Sequence, residues 1–211
     1  SKALKENKVK ILENYDVSKI DYHKNKYVII FKNGEKLTAS SIILATGVNL
    51  EKTLKLLQIN IKIKCLPQQL IVSERMPKIM DTVITVANGK LSLKQFKNGT
   101  VLIGGGWPGI GNIEDNYTET KPENLIGNMM LACHAIPRLK SSRVARVWLG
   151  LEAETDDAMP IIGEIPNYEN AYVIGSIHSG YTSGPYMGKL LAEKILGKDI
   201  DLSLFDIKRF L

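Results

Sequence analysis

The chain has 211 residues, with 28 Lys and Arg against 22 Asp and Glu (formal net charge +6), 44% hydrophobic and 24% charged, a balance that excludes disorder and fits one sizeable globular domain or two small ones. Apolar runs such as Ile42-Ile43-Leu44-Ala45 fall far short of the ~18 residues a membrane helix needs, and the well-separated Cys65 and Cys133 outline neither a disulfide framework nor a metal site; no membrane span is read, and a cytoplasmic location is expected. The basic excess is interleaved with acidic and apolar residues and lacks an aromatic platform, so no nucleic-acid partner is expected.

The opening segment alternates through Val9, Ile11, Val17, Ile20 and Tyr22 to Tyr27-Val28-Ile29-Ile30-Phe31, which predicts a β-meander. Asn33-Gly34 supplies a turn, and the strand Ser41–Ala45 ends at Thr46-Gly47. Glu51–Leu57 reads as a short helix, and Ile59–Cys65 alternates strictly, as a strand with one wet face. Further strands are predicted at Gln69–Ser73, Thr82–Ala87, Leu91–Phe96, Val101–Ile103 and Arg143–Leu151, with turns at Asn88-Gly89 and Asn98-Gly99.

Two helices have readable ends. Thr120-Lys121-Pro122-Glu123 fits a capping box, followed by Leu125, Ile126, Met129, Met130, Cys133 and Ile136 at helical spacing until Pro137. The other is expected from Gly184-Pro185 to Leu196, burying Met187, Leu190, Leu191 and Ile195 and stopping at Gly197.

Three glycine-rich stretches compete as sites. Gly104-Gly105-Gly106-Trp107-Pro108-Gly109 satisfies GxGxxG after a strand, but Pro108 and the polar run Asn112–Thr120 delay the next helix, so it reads as a decoy for a dinucleotide fingerprint. It is a close-approach loop that either turns Trp107 to a cavity or buries it. The strand ending in Ala45-Thr46-Gly47 lets backbone approach a ligand, or is an ordinary sheet strand. Gly175-Ser176-Ile177-His178-Ser179-Gly180-Tyr181-Thr182-Ser183-Gly184-Pro185 runs from a strand into a helix start, where free amides and the helix's positive end stabilise negative charge.

The ordered set of Tyr15-Asp16-Val17, Ile42–Gly47, Pro67–Glu74, Val101–Pro108, Val147–Leu151, Asp157–Gly163 and Gly175–Leu191 resembles the C-terminal portion of the D-amino-acid-oxidase-like (DAO) superfamily of FAD-dependent oxidoreductases. Within it the nearest likeness is to glycine and sarcosine oxidases and the β subunits of heteromeric amine or opine dehydrogenases. The resemblance implies an α+β fold: a mixed or antiparallel substrate-domain sheet packed on helices, plus the meander and C-terminal strand-helix of an incomplete, Rossmann-like FAD-binding domain. Residues 1–56 would belong to the FAD-binding domain, 57–153 to the substrate-binding domain, and 154–211 to the return into the first. No GxGxxG unit for the ADP half of FAD occurs within residues 1–50, so the chain is expected to be a C-terminal piece that alone holds FAD weakly or not at all and is inactive.

The resemblance also implies roles. Val17, Ala45, Thr46 and Gly47 would pass the adenine side and the dinucleotide, and Gly175, Ser176, His178, Ser179, Gly180, Tyr181 and Thr182 would surround the pyrimidine edge of the flavin, bound non-covalently. Gln95, Trp107 and Glu152 would face the substrate, a small amine or amino acid, with Glu152 and His178 as candidate catalytic residues and a partner subunit possible. The implied reaction is hydride transfer to flavin N5, giving an imine. Relatives that clamp a substrate carboxylate carry Arg in a Gly-Leu-Arg stretch, whereas this chain has Gly150-Leu151-Glu152; Glu152 suits an ammonium or polyamine-like group, or is simply a structural carboxylate. His178 contacts ligand or is an ordinary loop histidine; His23 and His134 have no metal-ligand spacing. The alternative reading is a non-catalytic interaction module of a heteromeric complex.

Overall fold

The computed structural model describes residues 2–87, 89–178 and 180–211. The chain opens on α1 (Lys2–Glu6), then β1 (Val17–His23), β2 (Lys26–Phe31), β3 (Lys36–Ala39) and β4 (Ile42–Leu44). A single turn, Gly47–Asn49, leads into α2 (Leu50–Lys55), followed by β5 (Lys64–Ser73), β6 (Ile84–Thr85), β7 (Ser92–Gln95), β8 (Val101–Gly104), β9 (Ile110–Asn112) and β10 (Tyr117–Glu119). The remainder is α3 (Pro122–Ala135), β11 (Val144–Glu154), β12 (Ile161–Glu164), β13 (Ala171–Gly175), α4 (Gly180–Ile195) and a tail with turns at Ser203–Phe205 and Ile207–Phe210.

The architecture is α+β. The meander β1-β2-β3 and the β9-β10 hairpin are antiparallel, the main sheet runs β11-β5-β8-β7-β6, and a mixed sheet has the order β12-β13-β4, with β13 and β4 parallel. In the meander, Tyr27, Ile29 and Phe31 alternate inward as period-2 patterning requires. Lys24 and Asn25 take left-handed φ of 50° and 58° at the first turn, and Gly34 takes 85° at the second, the conformations that match tight hairpins to strand twist. The Tyr27 hydroxyl donates to the Glu169 carbonyl at 2.5 Å, tying the meander to the loop before β13, and burial pushes its pKa up to about 12.

The structure departs from sequence expectation where pattern lacks a partner. Val9 and Ile11 lie outside any strand and are 47% and 48% exposed; left-handed Lys8 and Asn14 break the extended run around them. Ile59 and Ile61 are buried while Asn60 and Lys62 are exposed, but ladder pairing starts only at Lys64, since alternation specifies a face and not an edge to bond. The strand read over Thr82–Ala87 shrinks to Ile84–Thr85, and the Asn88-Gly89 turn falls on Asn88, outside the described residues.

Both helix starts also move. Lys121, not Thr120, is the N-cap of α3, with no side-chain cap; instead Gln69 of β5 accepts from the Lys121 amide at 3.1 Å and donates to its carbonyl at 3.4 Å. Helix α3 packs Leu125, Met129, Ala132 and Cys133, with Ile136 at its C-cap, on the main sheet, whereas Met130 and Ile126, which share the helical spacing, are 68% and 61% exposed. Helix α4 begins at Gly180, four residues early, with Pro185 inside it. Its end is as expected: Gly197 (φ 82°) closes a Schellman motif in which the Lys198 amide donates to Glu193 and the Gly197 amide to Lys194.

Candidate functional site

Strands β4 and β13 run parallel, with Ile42 beside Ala171 and Leu44 beside Val173. Their carboxyl ends therefore emerge together: Ala45-Thr46-Gly47 leaves one and Ser176-Ile177-His178 the other. Such a crevice beyond the carboxyl ends of parallel strands is where open α/β sheets receive ligands. Ala45, Thr46 and Gly47 are exposed, and Gly47 (φ 55°) has nothing within 4 Å of the position a Cβ would take. Val17 opens β1 in a different sheet, 39% exposed.

The second loop carries local strain and unspent polarity. Ser176 is 4% exposed, takes a left-handed φ of 51°, and its Oγ is a buried side-chain oxygen without a hydrogen-bond partner among the described residues. A buried polar atom costs about 1–3 kcal/mol when unpaired, and a non-glycine residue at positive φ adds strain; both together make this loop the candidate site. Among the described residues, the Ser176, Ile177 and His178 amides donate no backbone bond outside the regular elements. Because α4 starts at Gly180, Gly180, Tyr181 and Thr182 form its first turn, whose amides have no intrahelical acceptor. Gly180 and Gly184 face open space at their Cβ positions, and Tyr181 is fully exposed. Buried Gly175 instead abuts Leu50, whose Cδ2 lies 2.6 Å from a would-be Cβ. Ser179 lies outside the described residues.

Glu152 and His178, 26 residues apart in sequence, meet here: His178 Nδ1 lies 3.2 Å from Glu152 Oε1, with side chains 58% and 26% exposed respectively. The carboxylate thus stands beside the imidazole, where it favours a proton on the ring nitrogen that faces it. Strand β11 brings Glu152 to the loop and also packs against the Gly47–Asn49 turn, so three segments converge. Beside that turn a groove of about 970 Å³ opens between α2, residues 60–65 and the tip of the β9-β10 hairpin.

Two expected substrate contacts are occupied elsewhere. Gln95 Oε1 accepts from the amides of Ile79 (2.8 Å) and Met80 (3.4 Å), while its Nε2 donates to the carbonyls of Met76, Pro77 and Gly99. No polar atom remains for a substrate; the side chain holds the 76–80 loop on β7. Gln95→Ala is expected to cost about 1.5 kcal/mol, the usual scale for orphaned buried amides, read as a lowered urea midpoint. Trp107 donates its Nε1–H to the Lys90 carbonyl at 2.6 Å and lays its ring against Gly127 of α3, a packing position. The loop Gly104–Gly109 enters β9, not a helix, as expected of a decoy.

Sequence reasoning missed a third cluster. In the crossover from β11 to β12, Asp157 accepts from the Thr155 hydroxyl, the Met159 amide and Arg209 Nε, and Arg209 also donates to the Met159 and Pro160 carbonyls. The guanidinium holds the Asp157 carboxyl well below the usual carboxylate range. An arginine 52 positions away leaves no local signal in sequence. Among the described residues, no helix is long and apolar enough to cross a membrane, and no group of three metal-ligating side chains occurs.

A family model described as FAD dependent oxidoreductase (DAO) matches residues 1–194. Hydrogen cyanide synthase subunit HcnC of Pseudomonas protegens is 29% identical over 76% of this chain and 38% of its own length, and the β subunit of sarcosine oxidase from Rhizobium meliloti is 24% identical over 85% of this chain and 42% of its own. The chain thus spans less than half the length of these curated relatives. Among solved structures, L-proline dehydrogenase from P. horikoshii superposes with a TM-score of 0.85 at 24% identity, covering 98% of this chain and 56% of that one. Glycine oxidase from Geobacillus kaustophilus gives 0.83 at 18% identity, covering 95% and 53%. At these identities the superpositions speak for the fold.

Proposed function

The chain belongs to the DAO family of FAD-dependent oxidoreductases, and from that premise we propose that it is the substrate-facing part of an enzyme that oxidises an amine or amino acid. The observation that carries the reading is the loop 176–182: an orphaned buried hydroxyl, uncommitted amides and a helix N-terminus beside an open crevice. These donors fit the oxygen-bearing pyrimidine edge of a flavin, where negative charge gathers on reduction. In this reading Gly175, Ser176, His178, Gly180, Tyr181 and Thr182 hold that edge, with Ala45, Thr46 and Gly47 along the dinucleotide and Val17 toward the adenine. The chemistry that FAD supplies there is acceptance, at its N5, of the hydride leaving the carbon next to the amine nitrogen, with an imine as product.

The protein's own contribution is orientation and proton placement. Glu152 Oε1, 3.2 Å from His178 Nδ1, keeps the imidazole beside the loop, and in this reading the other ring nitrogen, Nε2, takes a proton from the substrate ammonium and leaves the neutral amine that oxidation requires. The sheets support a division in which 1–56 and 154–211 form the flavin-binding part and 57–153 the substrate part: β4 joins β12 and β13, while β5 to β8 join β11. Relatives named as subunits support a partner chain. A non-catalytic module is not favoured, since the match is to an oxidoreductase family over residues 1–194.

The test is anaerobic flavin reduction in the full-length protein by a panel of secondary amines, opines and D-amino acids. At least one class is expected to bleach the flavin, and His178→Ala is expected to slow that reduction about tenfold or more. A flavin unresponsive to the whole panel overturns the reading.

A further inference from the structure

The register of the main sheet sorts β11 into two faces. Val147 stands opposite Ile71, and Ile71 opposite Ile103, on the face that packs with Ala132 of α3. Trp148, Gly150 and Glu152 point the other way, opposite Leu70, Gln68 and Leu66. Among the described residues, Trp148, Gly150 and Glu152 belong to none of the hydrophobic clusters that the helices cover, and this is the face from which Glu152 reaches His178. Trp148 is 45% exposed, a large apolar area for an indole outside the core. Its ring leans along the strand over Gly150, toward Glu152: Cζ3 lies 3.8 Å from where a Cβ on Gly150 would stand, an ordinary contact distance. The Gln68 side chain, beside Gly150, is half-buried with no hydrogen bond among the described residues. On β11 itself the cation of this face is Arg146, six residues from Glu152 and so ~20 Å along the strand, while Lys64 of β5, opposite Glu154, is paired with Asp156 at 3.0 Å.

We propose that Trp148 is a specificity-determining residue: the apolar body of the substrate stacks on its indole while the substrate ammonium pairs with Glu152, selecting hydrophobic amines that lack a carboxylate. The wall offers a carboxylate, an aromatic face and a neutral amide within a few residues, which complements a cation with an apolar body. It offers no guanidinium for a carboxylate, and Glu152 repels one. This rests on the amine-oxidation reading and narrows its substrate class.

The experiment compares phenethylamine with phenylalanine, matched but for the carboxylate, in the flavin-loaded full-length protein. Two readouts are taken: anaerobic flavin reduction, and quenching of tryptophan emission at equilibrium. Phenethylamine is expected to bind at least tenfold more tightly than phenylalanine and to quench emission, with the quench lost in Trp148→Ala. That variant is expected to raise KM about tenfold with kcat changed less than threefold, and Trp148→Phe to recover most of the loss. Equal or tighter binding of phenylalanine, or a quench and KM indifferent to Trp148→Ala, overturns the proposal. Selective quenching by phenethylamine with no flavin reduction by any amine upholds the wall and instead sinks the reaction assigned above.

Discussion

Gly105→Ala is expected to destabilise the protein by about 4 kcal/mol, the upper end of what single substitutions do. Gly105 has φ 111°, where an L side chain is strained, and a Cβ there would stand 2.6 Å from the N and Cα of Leu91 and 2.7 Å from its carbonyl carbon. Those are backbone atoms of a residue that is 1% exposed, just ahead of β7, so no side chain can swing aside. The strain contributes about 1–3 kcal/mol and the forced backbone shift about as much again. The measurement is the denaturant midpoint, with unchanged slope, and a fall in Tm of roughly 10 °C at this chain size. A loss under 1 kcal/mol would mean that the loop slides freely over β7.

The same shift should reach α3. Leu91 follows Lys90, whose carbonyl takes the Trp107 indole, and the Trp107 ring sits where Gly127 leaves α3 without a side chain. Three consecutive glycines and a tryptophan thus fasten the β7-β8 edge to the helix. In sequence they imitate a phosphate-binding loop, because both uses demand close backbone approach. What separates the two is the element that follows, and here it is the strand β9.

Legibility followed the range of the forces involved. Strands β1 and β2 could be read because their alternation, the left-handed turn at Lys24-Asn25 and their pairing all lie within 15 residues. The end of α4 could be read because Gly197 settles it locally. The start of α4 could not: Pro185 marks a helix's first turn by propensity, yet the helix extends back to Gly180. Likewise Thr120 satisfies a capping pattern while Gln69, 52 residues away, holds the amide at the helix start. At the candidate site, the glycines and hydroxyls of 175–184 are what the sequence offers for a ligand loop, and the resemblance singled out Glu152 and His178. Their 3.2 Å contact depends on how β11 lies beside the loop that follows β13, which no local pattern encodes. The bonds of Gln95 were hidden for the same reason, since the loop that engages its amide lies 15 to 19 residues upstream.

Arg209→Ala is expected to cost about 2–3 kcal/mol and to make the protein less sensitive to acid. The side chain is 20% exposed and serves four acceptors: Asp157 at 2.7 Å through Nε, and the carbonyls of Asp206, Met159 and Pro160 at 2.9 to 3.1 Å. Hydrogen bonds to a charged group are the stronger kind, but Asp157 remains 37% exposed, so water takes over part of what is lost. Arg209→Lys restores the charge without the planar fork and should recover less than half. The pH dependence follows from Asp157, whose carboxyl is held below its ordinary range first by Arg209 and then by the Met159 amide and Thr155 hydroxyl. A group whose folded pKa is depressed stabilises above its unfolded value, ~3.9 for Asp, and loses that contribution as the pH falls toward the folded value. Urea midpoints at pH 7 and pH 3 should therefore differ more for the native protein than for Asp157→Asn or Arg209→Ala. Equal pH sensitivity in all three would show that the clasp holds the crossover through its carbonyls alone. Because that crossover begins at Thr155, three residues after Glu152, loosening it should also spread the position of Glu152 against His178, and the variant's flavin reduction should slow even at pH 7.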